Sequence, residues 1–354
     1  MPALSELTTL RLGGPAARVV EAGSESAIIA AVRAADAAGE PLLLLAGGSN
    51  VLVADDGFPG TVVRVTSRGV RAAAGRLEVA AGEPWDPFVA RCVGDGRAGI
   101  ECLSGIPGSV GATPIQNVGA YGQEVAETIV SVRAYDRTLE TVLEVPAAEC
   151  GFTYRSSAFK RAQGRWVVLA VTFELERRPD SRPVRYAALA RALAIGEGER
   201  APLADVRAAV LALRRSKGMV IDPGDPDSVS AGSFFTNPVL DAAAFVELEE
   251  RAREWLGDGV SVPRFEQRDG SVKLPAAWLI ERAGFERGHG DPQTVAISGK
   301  HTLALTNRGA GTTAQLVALA REIAAAVHDR FGVELVPEPV FVGHGWSRLA
   351  QPSR

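Results

Sequence analysis

The chain has 354 residues, of which 46% are hydrophobic and 23% are charged, and its formal net charge is -4. This composition is ordinary for a folded protein with room for two or three domains. The net negative charge gives no case for a general nucleic-acid or acidic-membrane surface, so an anionic ligand requires positive charge concentrated locally.

The N-terminal sequence and the cysteines predict a cytoplasmic protein. The N-terminus lacks a basic segment followed by a long apolar core, and no later apolar run is long enough to cross a bilayer. The three cysteines, Cys92, Cys102 and Cys150, are widely spaced and include no CxxC pair. We expect buried thiols of a reducing compartment, and neither disulfides nor a metal site.

The N-terminal half alternates between predicted helices and short strands. Ser24 is expected to cap an amphipathic helix that ends at Gly39, ahead of a buried strand over 42–45. Asp86 is expected to cap a helix over 88–93. Further strands are predicted over 51–53, 61–65, 77–80, 129–135, 141–145 and 166–175.

The C-terminal half is richer in predicted helices. A polar, proline-bearing stretch over 177–183 indicates a linker or an exposed loop. The last helix is the best marked, because Thr312 and Gln315 have the spacing of a capping box and Gly332 closes the pattern. Alternating apolar and polar residues over 334–343 predict a strand edge. The predicted helices are 205–216, 241–256, 276–283 and 313–331.

Two glycine-rich stretches are candidate nucleotide cradles. The first covers 46–50 and follows the strand over 42–45, and the second covers 101–124. Glycine lacks a Cβ and allows positive φ, so such stretches let backbone N–H groups approach a flat or anionic ligand. Gln116 and Asn117 add amide groups that suit a heteroaromatic edge. Composition alone favours a plain loop for the second stretch, and the first stretch shifts the balance towards a binding site.

Other nucleotide folds and metal sites do not fit the sequence. The turn over 47–50 is not G-x-G-x-x-G, and the strand over 51–53 stands where a Rossmann fold needs a helix. The segment over 298–302 imitates the end of a P-loop, but Thr294 occupies the place of the required glycine. The sequence contains no HExxH, EF-hand or paired CxxC motif, so no metal is expected.

Several polar residues have an ordinary structural explanation when each is taken alone. Arg214, Arg215 and Lys217 form a basic cluster at a helix end, where cations complement the helix dipole. An arginine such as Arg155 is more often a surface salt-bridge partner. A loop serine such as Ser233 usually bonds to the backbone, although its neighbouring glycine and aromatic pair fit a hydroxyl held in a dry pocket.

Four motifs give the chain a resemblance to MurB, the UDP-N-acetylenolpyruvoylglucosamine reductase family. The resemblance extends from about residue 10 to residue 343 and implies an α+β protein. It implies a vanillyl-alcohol-oxidase-type FAD-binding domain followed by a smaller MurB-type substrate-binding α+β domain. The motifs are GGSNVLV at 47–53, SGIPGSVGATPIQNVGAYGQE at 104–124, F-x-Y-R-x-S-x-F-K at 152–160 and AGSFFTNP at 231–238.

The resemblance also implies a domain organisation. An FAD-binding region of two α+β subdomains is expected over 1–178, and a substrate-binding domain over 205–343. Residues 179–204 are expected to form a linker and substrate loop, and 344–354 a tail.

The implied reaction is the NADPH-dependent reduction of UDP-N-acetylglucosamine enolpyruvate to UDP-N-acetylmuramate through non-covalent FAD, in peptidoglycan precursor synthesis. Arg155 would hold the substrate carboxylate, Ser233 would protonate the substrate carbon, and Glu338 would help to stabilise the polarised intermediate. The implied substrate contacts are Tyr154, Tyr186 on a closing loop, Lys217 at the UDP diphosphate, and Asn237. The implied FAD-binding residues are Gly47, Gly48, Ser49, Asn50, Ser104, Gly105, Pro107, Gly108, Gly111, Ala112, Gln116, Asn117, Gly119 and Ala120.

Two alternatives stay open. The first is a flavin oxidase of the same fold, many of which tether FAD through a histidine near the first glycine-rich turn. The second is a nucleotide-binding module without turnover, which would need none of Arg155, Ser233 and Glu338. No nucleic acid, membrane insertion or obligatory protein partner is expected. The four histidines all lie in the C-terminal third, at His289, His301, His328 and His344.

Overall fold

The computed structural model describes residues 2–267 and 269–346 and shows two compact units of mixed helix and strand. Unit 1 contains Ala16–Gly48 and Pro59–Val220. Unit 2 contains Ala3–Pro15, Ser49–Phe58 and the described residues from Ile221 onwards. The predicted tail over 344–354 lies outside the described residues from 347 onwards.

The helices agree closely with the sequence pattern. Ser24 caps the first helix by accepting a hydrogen bond from the backbone of Ala27, and the predicted capping box of Thr312 and Gln315 is present. Gly332 ends the last helix in the left-handed conformation. The α-helices of the described residues are α1 (Glu25–Ala37), α2 (Trp85–Gly94), α3 (Ala158–Arg161), α4 (Ala187–Ala192), α5 (Leu203–Arg215), α6 (Ala242–Leu256), α7 (Ala276–Arg282) and α8 (Thr313–Phe331).

The strands are short and connect into several small sheets. In chain order they are β1 (Ala16–Ala22), β2 (Leu42–Leu45), β3 (Val51–Val53), β4 (Phe58–Val65), β5 (Val70–Ala73), β6 (Arg76–Ala80), β7 (Arg97–Ala98), β8 (Gly119–Ala120), β9 (Gln123–Glu124), β10 (Ile129–Asp136), β11 (Thr141–Pro146), β12 (Trp166–Glu174), β13 (Glu176–Arg177), β14 (Ser230–Ser233), β15 (Val239–Leu240), β16 (Phe265–Glu266), β17 (Val272–Lys273), β18 (Val295–Ile297), β19 (Ala304–Asn307) and β20 (Val340–Val342).

Unit 1 holds a three-stranded sheet of order β1-β4-β2 and a five-stranded sheet of order β11-β10-β12-β6-β5. The α1 residues Ile28 and Val32 are fully buried and pack in one cluster with Val63 of β4 and Val167 of β12. Burial of such side chains is the main favourable contribution to folding. This core fixes β2, so the first glycine-rich turn leaves the sheet from a defined point directly after Leu45.

A second core in unit 1 sets the start of the longer glycine-rich stretch. Trp85 and Phe88 of α2 pack against Phe173 of β12, and the three ring centroids lie 5.4 to 6.1 Å apart. The indole Nε1 of Trp85 donates a hydrogen bond of 3.0 Å to the backbone oxygen of Leu103. The aromatic core and the chain just before Ser104 are therefore tied together.

Unit 2 is built around α8 and two small antiparallel sheets of order β14-β19-β18 and β15-β17-β16. β3 pairs in parallel with β20, so Val51 lies beside Val340. Phe234, Leu316 and Ile323 belong to one buried cluster within this unit. The strand edge predicted over 334–343 is limited to β20, because Pro337 and Pro339 cannot donate to a ladder.

The predicted cap at Asp86 is wrong. α2 begins at Trp85, Pro84 occupies the cap position, and no side chain caps the helix. The Asp86 carboxylate lies within the first turn and accepts hydrogen bonds from Gly105 and Arg207 instead. A tertiary ion pair has thus replaced the local cap that the sequence indicates.

The three cysteines are free and buried, as predicted. Burial raises the pKa of Cys92 to about 12 and that of Cys150 to about 11, and it also raises the pKa of Cys102. At neutral pH these thiols stay protonated and therefore poorly reactive.

The division into compact units differs from the predicted domain bounds. α5 lies in unit 1, although its residues from 205 onwards fall within the predicted substrate-binding domain over 205–343. Compactness describes packing and not ligand roles, so the functional division stays a prediction. In the part of the chain that the structure describes, no helix combines the length and apolar character needed to cross a membrane.

Candidate active site

The two glycine-rich stretches approach each other backbone to backbone. A Cβ on Gly47 would lie 2.7 Å from the Cα of Gly108, a distance that side chains do not tolerate. Gly48 has φ of 60°, in the left-handed region that favours glycine. The predicted FAD residues Gly47 and Gly108 are thus in contact; only glycine fits at 47, and Gly108 has φ of 113°, which also favours glycine.

A second close approach fixes the middle of the second stretch. A Cβ on Gly111 would lie 2.5 Å from the Cβ of Ala81, and the Gly111 N–H donates 2.8 Å to the Ala81 oxygen. Ser109 is 5% exposed, and its Oγ finds no hydrogen-bond partner among the described residues. A buried hydroxyl without a partner is costly unless a ligand or water supplies one. The orphaned hydroxyl and the small-residue cradle fit a nucleotide cofactor such as FAD.

Two polar residues predicted at the FAD site have internal structural roles. Ser104 is fully buried and donates 2.7 Å to the backbone oxygen of Glu101. The Asn117 amide donates 2.7 Å to Glu124 and 3.2 Å to the oxygen of Thr153. These bonds shape the loop, and any cofactor contact of the two residues would come on top of them.

Arg155 lies at the tip of a tight turn in unit 1. Thr153 and Ser156 exchange two backbone hydrogen bonds of 3.0 and 3.1 Å, which leaves Arg155 with φ of 53°. A non-glycine residue in this conformation carries strain of about 1 kcal/mol. The strain is an observation that suits a functional position.

The Arg155 side chain points back to the glycine-rich stretch. Its Nη2 donates 2.8 Å to the oxygen of Gly119, and its guanidinium lies 5.4 Å from the ring centroid of Tyr154. A Cβ on Gly119 would lie 3.2 Å from Arg155 Nη1. The structure therefore brings together three predicted site residues, Arg155, Tyr154 and Gly119, around one guanidinium.

Ser233 and Glu338 come from neighbouring segments of unit 2. Ser233 ends β14 and lies opposite Ala304. The backbone oxygen of the next residue, Phe234, accepts a hydrogen bond of 2.8 Å from the Glu338 N–H. Gly232, with φ of 75°, allows the irregular register just before Ser233. The predicted proton donor and the predicted acidic residue are thus held by adjoining stretches of backbone.

Asn50 joins the same region of unit 2. Its side-chain amide donates a hydrogen bond of 3.3 Å to the backbone oxygen of Glu338. Its own backbone oxygen accepts a hydrogen bond of 2.9 Å from the Val340 N–H. Asn237 has a structural contact, because its Oδ1 accepts 2.9 Å from the Ala276 N–H at the start of α7. A residue predicted for FAD, Asn50, therefore lies beside one predicted for catalysis.

A cationic and aromatic group surrounds the end of α5 in unit 1. Burial lowers the pKa of the Lys217 ammonium, and the positive charge of Arg214 lowers it further. The Tyr186 ring is 40% exposed and meets the Tyr121 ring edge-on at 5.4 Å. Lys217 and Tyr186 are the residues that the sequence predicts for a diphosphate.

Arg214 is the main residue that sequence reasoning passed over. It is only 8% exposed, donates 2.7 Å to the Met219 oxygen, and its Nε has no partner among the described residues. Burial lowers its pKa, while Tyr121 and Asp86 oppose that shift. The sequence does carry a signal for it, because Arg214 follows Val206 and Val210 at intervals of four residues and so lies on the buried face of α5, whereas the neighbouring Arg215 is exposed.

An open cleft in unit 2 contains none of these residues. It has a volume of about 630 Å³ and is lined mainly by charged residues of α6 and α8, including Glu250 and Arg251. Arg330 lies over the Trp255 ring at 4.6 Å in the same place. The residues that the motifs suggest for catalysis and binding are therefore not part of this cleft.

Comparison with known families identifies two domains in the chain. Residues 16–145 match the family model of an FAD binding domain. Residues 225–342 match the model of the UDP-N-acetylenolpyruvoylglucosamine reductase C-terminal domain. These matches define a flavin-dependent oxidoreductase in which an FAD-binding domain precedes a reductase-specific domain, and they confirm the α+β prediction.

Curated relatives give the particular family. The UDP-N-acetylenolpyruvoylglucosamine reductase of Thermobifida fusca is 57% identical over 345 residues, which covers 96% of both chains. The protein of the same name from Salinispora arenicola is 58% identical over 346 residues, covering 96% of this chain and 94% of that one. The chain belongs to the UDP-N-acetylenolpyruvoylglucosamine reductase family, as the motifs predict.

A solved structure supports the fold. The crystal structure of UDP-N-acetylenolpyruvylglucosamine reductase (MurB) from Thermus caldophilus aligns with a TM-score of 0.65. The alignment covers 96% of this chain and 97% of that chain at 22% identity. It shows that the two proteins share a fold.

The close approach of the glycine-rich stretches gives a first prediction. Gly47→Ala puts a Cβ 2.7 Å from the Gly108 Cα, so the loops must separate and FAD should be lost on purification. Gly94→Ala is the matched control, because a Cβ there meets nothing within 4 Å. The measurement is the ratio of flavin to protein absorbance of each purified variant. A folded Gly47→Ala protein with the parental ratio would show that this contact does not shape the FAD site.

Proposed function

We propose that this protein reduces the enolpyruvyl ether of UDP-N-acetylglucosamine to UDP-N-acetylmuramate, with NADPH as the hydride donor and non-covalent FAD as the carrier. The observation that carries the proposal is the 57% identity to the Thermobifida fusca reductase along nearly all of both chains. When bound, FAD supplies a carrier that accepts hydride from NADPH and passes it to the terminal methylene carbon of the substrate.

The proposed FAD contacts are the small and polar residues of the two glycine-rich stretches. The contact of Gly47 with Gly108 and the unpartnered hydroxyl of Ser109 support this placement. The proposed set is Gly47, Gly48, Ser49, Asn50, Ser104, Gly105, Pro107, Gly108, Gly111, Ala112, Gln116, Asn117, Gly119 and Ala120.

The chemical difficulty is that an enol ether is electron-rich and resists hydride. In this proposal Arg155 binds the substrate carboxylate and draws charge from the double bond, as an oxyanion hole stabilises developing charge. Glu338 helps to stabilise the resulting enol-type species, and Ser233 donates the proton that the adjacent carbon requires. The fixed turn around Arg155 and the backbone bond beside Glu338 support these roles, because positioned groups need no reorganisation during reaction.

The remaining residues are proposed to bind the substrate. Lys217 and Tyr186 contact the UDP diphosphate, with Tyr154 and Asn237 as further contacts. We extend the proposal to the predicted division of roles, with FAD binding over 1–178, a substrate loop over 179–204 and substrate binding over 205–343. The place of the reaction is the cytoplasm, in peptidoglycan synthesis for cell-wall growth, shape and division, which the free buried thiols support.

The oxidase alternative has less support. Oxidases that tether FAD through a histidine near the first glycine-rich turn need a residue that this chain lacks there, since His289 is the first histidine in the sequence. The curated relatives named above are reductases.

The lowered pKa of Lys217 gives a pH-dependent prediction. Lys217 binds a diphosphate only as the charged ammonium, which persists below its pKa and is lost as pH rises through it. Because that pKa is lowered, the affinity for UDP should weaken with rising pH before the pH at which an ordinary lysine, with a pKa of about 10.4, loses its charge. Lys217→Arg should flatten this dependence, since a guanidinium keeps its charge throughout. Calorimetric titration with UDP measures the affinity at each pH.

Arg215→Ala is the control for that experiment, because Arg215 is the exposed neighbour in the same basic cluster. Its pH dependence should follow that of the parent. The same loss of affinity at high pH in parent and Lys217→Arg protein would assign the titration to another group.

Ser233 gives the sharpest test of the proposed chemistry. Ser233→Ala should leave reduction of the flavin by NADPH unchanged, because that step needs no proton from this hydroxyl. The rate at which the enolpyruvyl substrate restores the flavin absorbance should fall by about 10²–10⁴-fold, the usual contribution of a positioned acid. Rapid mixing under anaerobic conditions measures both rates in a single turnover.

Ser233→Cys is the matched variant, because a thiol can still donate a proton, and it should keep more activity than Ser233→Ala. A restoration rate in Ser233→Ala within a few-fold of the parent would mean that the proton comes from elsewhere.

A further inference from the structure

Asp86 of α2 connects the second glycine-rich stretch to α5. Its Oδ1 accepts a hydrogen bond of 2.6 Å from the Gly105 N–H and one of 2.7 Å from Nη1 of Arg207. Its Oδ2 accepts 2.9 Å from Nη2 of the same arginine. One carboxylate thus fixes a loop N–H and is itself held by a two-pronged ion pair.

α5 also covers the loop at this point. Gly105 has φ of 73°, and a Cβ there would lie 2.8 Å from Leu211 Cδ2 and 3.4 Å from Arg214 Nε. The direction of the Gly105 N–H is therefore set from two sides, by the Asp86 carboxylate and by packing against α5.

The charge at this position raises a physical problem. A carboxylate beside a loop that binds a diphosphate-containing cofactor would repel it. The side chains of Arg207 and Asp86 are only 18% and 33% exposed, so solvent screens the carboxylate incompletely. Burial by itself would raise the pKa of Asp86, but the bonds from Arg207 and Gly105 outweigh it and hold that pKa below its ordinary value. The carboxylate is therefore charged at neutral pH, and Arg207 is the cation that is hydrogen-bonded to it.

We propose that Asp86 and Arg207 are positioning residues of the FAD site: Asp86 orients the Gly105 turn, and Arg207 neutralises the carboxylate that does so. The inference rests on the proposed placement of FAD at this loop. Arg207 lies well beyond residue 145, where the matched FAD binding domain model ends. Cofactor affinity would thus depend on a helix outside that model.

The test compares the dissociation constant of FAD in four variants of the full chain, measured by the fluorescence of FAD released on dilution of the holoprotein. Arg207→Ala should raise it by at least about tenfold, because the part-buried carboxylate loses its hydrogen-bonded counter-charge and keeps only the non-bonded charge of Arg214. Asp86→Asn keeps an oxygen that can accept from the Gly105 N–H, so its dissociation constant for FAD should stay within about threefold of that of the parent. The double variant Asp86→Asn with Arg207→Ala should recover most of the lost affinity, since no lone charge remains. Arg207→Lys keeps the charge but not the two-pronged geometry, so its dissociation constant for FAD should lie between those of the parent and Arg207→Ala.

Arg71→Ala is the matched control, because Arg71 forms an ion pair with Glu78 in the same unit while 74% exposed. Its FAD affinity should equal that of the parent.

Recovery in the double variant separates this role from simple support of the fold, which a second substitution would weaken further. If Arg207→Ala alone does not fold, the double variant must fold and bind FAD, and its failure to do so contradicts the inference. Parental affinity in Arg207→Ala, or no recovery in the double variant, also overturns it. If Gly47→Ala keeps its FAD, the proposed placement of the cofactor fails, whichever result the Arg207 series gives.

Discussion

The contact between Gly47 and Gly108 is the constraint on which the rest of the candidate FAD site depends. Two loops from distant parts of the chain meet with 2.7 Å between the Cβ position of Gly47 and the Cα of Gly108, so residue 47 cannot carry a side chain there. Gly108 itself has φ of 113°, in the region that favours glycine. The first loop begins directly after the packed strand β2. The second is held by the hydrogen bond from the Trp85 indole to the backbone oxygen of Leu103. Backbone N–H groups can then face a ligand without competition from side chains.

The proposed catalytic groups are held by a similar principle, in which backbone contacts fix side chains that must not move. Arg155 occupies a strained turn and bonds to Gly119, which belongs to the same glycine-rich stretch. In unit 2 the bond from Glu338 to Phe234 joins the segment of the acidic residue to that of Ser233. Such preorganisation is what electrostatic stabilisation of a developing charge requires.

Local patterns in the sequence predict much of the fold. The bounds of β2, β3 and α8 follow from apolar runs and a capping box, and these signals are contained within a few residues. The motifs also identify Arg155 and Ser233 as candidates for the catalytic groups, and the family resemblance adds Glu338.

Features that depend on tertiary contacts escape the sequence. Asp86 has the local signature of a helix cap, but its carboxylate bonds to Arg207, which is remote in the chain. The spacing of Arg214 from Val206 and Val210 puts it on the buried face of α5, but the sequence does not show which residues that face packs against. The internal bonds of Asn117 show the same limit, since an amide suited to a ligand is equally suited to its own loop.

The central claim is that flavin on this chain passes electrons from NADPH to an enolpyruvyl nucleotide sugar. The most direct measurement is an anaerobic sequence of two additions, NADPH first and UDP-N-acetylglucosamine enolpyruvate second, followed by absorbance and product analysis. We predict that NADPH bleaches the flavin and that the enolpyruvyl substrate restores the colour, with UDP-N-acetylmuramate formed in proportion. A flavin that NADPH does not bleach, or one that recovers its colour only when oxygen is admitted and yields no UDP-N-acetylmuramate, would contradict it.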